Sequence, residues 1–83
     1  MAGESVESRI KKVTASILKI DESTIKPESH FVKDLGAQSI QSIELVAAFE
    51  EEFDVEMDED EALEVKTVGD AIAFITKVVE EQS

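Results

Sequence analysis

Few side chains in this sequence are equipped for chemistry of their own, and the most promising is a hydroxyl. In Asp34-Leu35-Gly36-Ala37-Gln38-Ser39-Ile40 a glycine-containing loop delivers Ser39 to the start of a helix-forming segment. Read structurally, a Ser in that place is an N-cap whose hydroxyl accepts from a free backbone N–H. Read chemically, it suits a phosphate ester, because a helix N-terminus presents unpaired N–H groups and the positive end of the macrodipole. The two readings are compatible. A hydroxyl at a loop–helix junction is also open to a modifying enzyme in a way that a mid-helix Ser is not. His30, the sole histidine, stands in a loop beside Phe31 and reads as a structural or surface residue. Cys, Tyr and Trp are absent, which excludes thiolate catalysis, disulfides and thiolate-bound zinc. Carboxylate pairs abound, but among 20 acidic residues any pair is expected by chance. Asp54, Glu56 and Asp58 alternate like calcium-loop ligands, yet the sixth position is Glu59 rather than Gly and the twelfth is Val65 rather than Glu. The reading is therefore neither an enzyme nor a metal site.

The elements that must position Ser39 belong to a chain of 83 residues, the size of one small domain spanning residues 1–83. Twenty acidic residues against 8 basic ones give a net charge of −12, which argues against nucleic acid and against insertion into an anionic membrane. No apolar run approaches the ~20 residues that span a bilayer, so a cytoplasmic location is expected. The charge is uneven. The first 33 residues nearly balance, Glu4 and Glu7 among the acids, whereas residues 44–64 hold Glu44, Glu50, Glu51, Glu52, Asp54, Glu56, Asp58, Glu59, Asp60, Glu61 and Glu64 and no Lys or Arg. Such a stretch is either a solvated face or a landing site for basic partners.

Val6, Ile10, Val13, Ile17 and Ile20 recur at helical spacing and predict a first helix over residues 5 to about 20. Residues 21–38 carry Asp21, Ser23, Pro27, Ser29 and Gly36 and predict a long loop, pinned to the core by Ile25, Phe31, Val32 and Leu35. Residues 39–53 lack Gly and Pro and predict a second helix. A short helix is expected over residues 58–64, with Met57, Ala62, Leu63 and Val65 turned inward. Thr67 with Asp70 resembles a capping box opening a last helix that runs to about Glu81. No segment alternates as a strand would, so the expected fold is all-α, a small four-helix bundle with three longer helices and one short one.

The second helix carries too much apolar surface for one face. With Ile40 at zero and ~100° per residue, Leu45, Val46, Phe49 and Phe53 fall between ~140° and ~240°, and Ile40, Ile43 and Ala47 between ~300° and ~0°. If the aromatic arc faces the core, Ile40, Ile43 and Ala47 face solvent, fenced by Glu44, Glu50 and Glu51, as in a partner-docking helix. The alternative is that the short third helix covers Ile43 and Ala47.

These residues together resemble the acyl carrier proteins, whose hallmark is an Asp-Ser-Leu triplet at the start of the second of four helices. The likeness runs from about Val6 to Ile75. It includes Pro27-Glu28-Ser29-His30-Phe31-Val32-Lys33-Asp34-Leu35-Gly36-Ala37, then Ser42-Ile43-Glu44-Leu45-Val46, Phe49-Glu50-Glu51-Glu52-Phe53-Asp54 and Thr67-Val68-Gly69-Asp70-Ala71-Ile72. The resemblance implies that Ser39 receives 4′-phosphopantetheine from coenzyme A through a phosphopantetheinyl transferase, so that the reactive sulfur belongs to the prosthetic group. By matching positions it implies an acyl pocket of Phe31, Phe49, Met57, Ala62, Val65, Ala71 and Phe74. It also implies a docking surface of Ile40, Ile43, Glu44, Ala47, Glu50, Glu51, Glu56 and Met57 for acyl-transfer enzymes of fatty-acid or polyketide type. A monomer serving fatty-acid synthesis or a related specialised pathway is expected. The alternatives are a peptidyl or aminoacyl carrier and an unmodified acidic adaptor. Gln38 replaces the triplet's Asp, Ile40 its Leu, Gln41 a frequent second Asp, and Asp58 a usual Pro. The two glutamines remove carboxylates that basic transferase residues would be expected to contact.

Overall fold

The computed structural model describes residues 5–82; Glu4, counted above with the near-neutral N-terminal part, lies outside them. Four α-helices follow in order, α1 (Val6–Leu18), α2 (Ser39–Phe53), α3 (Glu59–Leu63) and α4 (Val68–Gln82), with no strand among the described residues. The all-α bundle of three longer helices and a short one is thus observed.

Helix α1 is shorter than its apolar stripe suggests. Ser5 is its cap rather than its first residue, the Oγ accepting from Ser8 N–H at 3.1 Å. At the other end Lys19 adopts a left-handed conformation (φ 57°, ψ 48°) and its N–H closes on the Ala15 carbonyl, so Ile20 lies outside the helix while still packing on the core. The stripe also shifts. Ile10 and Thr14 are fully buried and Leu18 is buried, although the Val6–Ile10–Val13–Ile17 spacing passes over Thr14 and Leu18.

The long connection after α1 is ordered by short turns. A 3-10 turn at Glu22–Thr24 is capped by Asp21, whose Oδ1 accepts from Ser23 N–H at 2.9 Å and from its hydroxyl at 2.8 Å. Those bonds, the backbone one foremost, hold the Asp21 carboxyl below its ordinary range. Ile25 and Phe31 are buried and Leu35 packs on the core, as expected of pinning residues, but Val32 is 55% exposed and pins nothing. The segment instead anchors through backbone bonds to the start of α4. Gly69 N–H donates to Pro27 O at 2.7 Å, Val68 N–H to Ser29 O at 2.9 Å and Phe31 N–H to Lys66 O at 3.0 Å. The first bond explains Gly69, because a Cβ there would sit 3.0 Å from the Pro27 carbonyl oxygen. Thr67 caps α4 as expected, its Oγ1 accepting from Asp70 N–H at 3.1 Å.

The core is built by Ile10 and Leu18 of α1, Leu45 and Phe49 of α2, and Val68, Ala71 and Ile75 of α4, closed by Ile25, Phe31 and Ala37 from the connection. The C-terminal end of α2 is tied to α1. Arg9 donates from Nε to Glu52 Oε2 at 2.8 Å and from an NH2 group to the Glu52 carbonyl, with its guanidinium 4.4 Å from the centre of the Phe53 ring. Short α3 buries no residue completely; Ala62 is half-buried, whereas Leu63, expected to point inward, is 37% exposed. Leu63 lies ~100° around α3 from Ala62, which leaves it nearer solvent.

Candidate functional site

The start of α2 differs from the sequence reading in one respect. Ser39 is not the N-cap. Gln38 occupies that position in extended conformation (φ −90°, ψ 166°), and Ser39 is the first helical residue. The reason is Gln41, whose Oε1 accepts from Gln38 N–H at 2.9 Å. This is the reciprocal half of a capping box, supplied by an amide in place of a carboxylate. The capping role therefore belongs to the two glutamines, and the exposed Ser39 hydroxyl is not used for it. The first turn of α2 contains no acidic residue. Ser39 accordingly stands where N–H groups lack intrahelical partners and no fixed negative charge competes for them. Gly36, three residues earlier, lets the chain turn into the helix with φ 74°.

Beside this start lies an apolar cavity of about 450 Å³ between α2, α3, α4 and the preceding loop. That volume falls within the range of small-molecule sites, roughly 300–1,000 Å³. All seven positions expected of a pocket, Phe31, Phe49, Met57, Ala62, Val65, Ala71 and Phe74, lie in its wall. Leu45, Val46 and Ile75 complete the apolar lining, and their helical stripes were the signal that could have placed them. Exposed Val32 and Leu63 also reach the cavity, which accounts for apolar side chains at the surface there. Ser42, one turn beyond Ser39, lines it as well, and its hydroxyl donates to the Gln38 carbonyl at 3.4 Å. His30 borders the cavity as a turn cap, its Nδ1 accepting from Val32 N–H at 3.3 Å and Lys33 N–H at 3.2 Å, while its backbone N–H donates to Asp34 Oδ2 at 2.7 Å.

On the opposite face of α2, Ile40 is 61% and Ile43 45% exposed, and Ala47 is exposed too, so α3 does not cover this ridge. Glu44 and Glu51 beside it, and Glu56 farther on, are exposed. Glu50 differs from them. It is half-buried, and its Oε2 accepts from Met57 N–H at 2.9 Å. A carboxylate grouped by sequence with the docking fence thus also holds the loop that carries Met57 into the cavity wall. The residues around Ser39 fit a phosphodiester-linked arm: a free hydroxyl for attachment, an acid-free helix start for the anion and an apolar cavity alongside.

Comparison with protein families adds one finding. The family model described as "Phosphopantetheine attachment site" matches residues 8–75, from the first turns of α1 to the middle of α4.

Proposed function

Because the chain belongs to the phosphopantetheine attachment-site family, whose domains carry 4′-phosphopantetheine covalently, we propose that Ser39 is the attachment residue and that the protein is a non-catalytic acyl carrier. The observation that carries this reading is the exposed Ser39 hydroxyl at the acid-free start of α2, beside a 450 Å³ apolar cavity. When attached, the group supplies a flexible arm ending in a thiol, on which acyl groups ride as thioesters. The chain's own residues do the rest. Unpaired N–H groups of the first turn of α2 favour the phosphodiester anion, and Phe31, Phe49, Met57, Ala62, Val65, Ala71 and Phe74 exclude water from an apolar cargo.

A carrier of this kind interacts with a phosphopantetheinyl transferase and with acyl-processing enzymes. Its docking face is Ile40, Ile43 and Ala47, with Glu44, Glu51 and Glu56 steering basic partners toward it. The apolar lining of the 450 Å³ cavity supports a hydrocarbon cargo of fatty-acid type over an aminoacyl group. The neutral Gln38 and Gln41 support a dedicated transferase, one that contacts Ser39 without relying on carboxylates at those two positions.

Intact-mass measurement after incubation with coenzyme A and a panel of phosphopantetheinyl transferases tests the assignment. A phosphopantetheine increment is expected in the wild type and none in Ser39→Ala. No increment with any transferase, or one that survives Ser39→Ala, overturns it; the former outcome favours an unmodified adaptor.

A further inference from the structure

Between α2 and α3 the chain runs through residues 54–58 outside either helix, and its backbone groups are satisfied in an unusual way. Asp54 turns left-handed (φ 55°), its N–H and that of Val55 both directed at the Glu50 carbonyl. The next two residues are held by side chains of α4 and α2. Glu56 N–H donates to Gln82 Oε1 at 3.0 Å, and Gln82 Nε2–H donates back to the Glu56 carbonyl at 2.6 Å, so one amide grips one residue at both ends. Met57 N–H donates to Glu50 Oε2 at 2.9 Å. Gln82 lies in the last turn of α4, beyond the matched residues 8–75.

What these contacts hold is a cavity wall. Met57 lines the cavity directly, and Ala62 and Leu63 of α3 follow it. Helix α3 buries no residue completely, so little apolar packing keeps this side in place. We propose that Gln82 and Glu50 are positioning residues that latch the residue 54–58 segment and thereby hold the Met57–α3 wall of the cavity closed. Glu50 lies on the same side of α2 as the exposed Ile43, two turns farther along the helix. The inference rests on the carrier reading for the use made of the cavity, but not for the latch itself.

The test uses the unmodified chain, so that failure of Ser39 to accept a group leaves it unaffected. Gln82→Met keeps side-chain length and removes both hydrogen bonds; Glu50→Ala removes the acceptor; Glu50→Gln keeps one. Amide hydrogen exchange, read residue by residue, is expected to rise about two- to tenfold at Glu56 in Gln82→Met and at Met57 in Glu50→Ala, the range that loss of one or two hydrogen bonds allows. Exchange at buried Ile10 and Ile75 stays as in the wild type, and Glu50→Gln restores protection at Met57. Release of the neutral apolar dye N-phenyl-1-naphthylamine from the cavity accelerates in step. Unchanged exchange at Glu56 and Met57, or a uniform rise throughout the chain, overturns the latch. A local rise with dye release unchanged overturns its link to the cavity.

Discussion

Thr14 is the one fully buried polar side chain on α1, and its Oγ1 has no hydrogen-bond partner among the described residues. An unpaired buried hydroxyl costs about 1–3 kcal/mol in proteins. Valine has nearly the same shape, replaces the hydroxyl by a methyl and has a similar helix propensity, so Thr14→Val removes the penalty without opening a void. The swap is therefore expected to stabilise the bundle by about 1–2 kcal/mol, the lower part of that range, because some penalty is relieved by local relaxation. For a domain of this size that amounts to a rise in Tm of about 4–16 °C, read by thermal melting followed by circular dichroism. Two controls sharpen the reading. Thr14→Ser keeps the hydroxyl and deletes the methyl, and should lower Tm, while Ser39 modification should proceed as in the wild type in both variants. The competing effect is back-bonding from Oγ1 to the Ile10 carbonyl one turn earlier, which would make the hydroxyl useful. A Tm that is unchanged or lower in Thr14→Val refutes the argument and points to that bond.

Two further outcomes are expected. Gly36→Ala should destabilise by about 1 kcal/mol through backbone strain alone, since φ is 74° and a Cβ would meet nothing within 4 Å. Gly36→Asn should cost less, because Asn tolerates left-handed backbone, and equal melting of the two variants would refute the strain account. At the docking ridge, Ile43→Asp should weaken binding of a phosphopantetheinyl transferase at least tenfold, about 1.4 kcal/mol, with helical content unchanged. Titration calorimetry at two salt concentrations checks this, and undiminished affinity would remove the ridge from the interface.

The bundle was legible because helical periodicity is local: α2 spans the helix-forming residues 39–53 that the sequence marks out, and Thr67 caps α4 as its spacing with Asp70 suggests. What stayed hidden depends on geometry that no local pattern carries. Gln is a poor capping residue on average, so nothing favoured Gln38 over Ser39 until the Gln41 side-chain Oε1 was seen to accept its N–H. Thr14 is missing from the apolar stripe, because hydropathy rather than position selected the stripe's members. Val32 and Leu63 were counted as core by residue type, whereas each borders a cavity open to solvent. The cavity itself is a property of how α2, α3 and α4 fail to close completely, and no residue spells out a volume. Gln82 gave no signal at all, since its partner lies 26 positions away.

Helix α2 has a consequence for how this protein can diverge. Its start carries Ser39 and its glutamine cap, one side lines the cavity with Leu45, Val46 and Phe49, the opposite side presents Ile40, Ile43 and Ala47, and its end is gripped by Arg9. No face of its fifteen residues is left without a task. A substitution that adapts the ridge to a new partner can tilt the same rigid rod and reshape the cavity behind it. New cargo specificity is therefore more accessible through α3, whose Ala62 and Leu63 border the cavity without forming the ridge, than through the helix that performs most of the recognition.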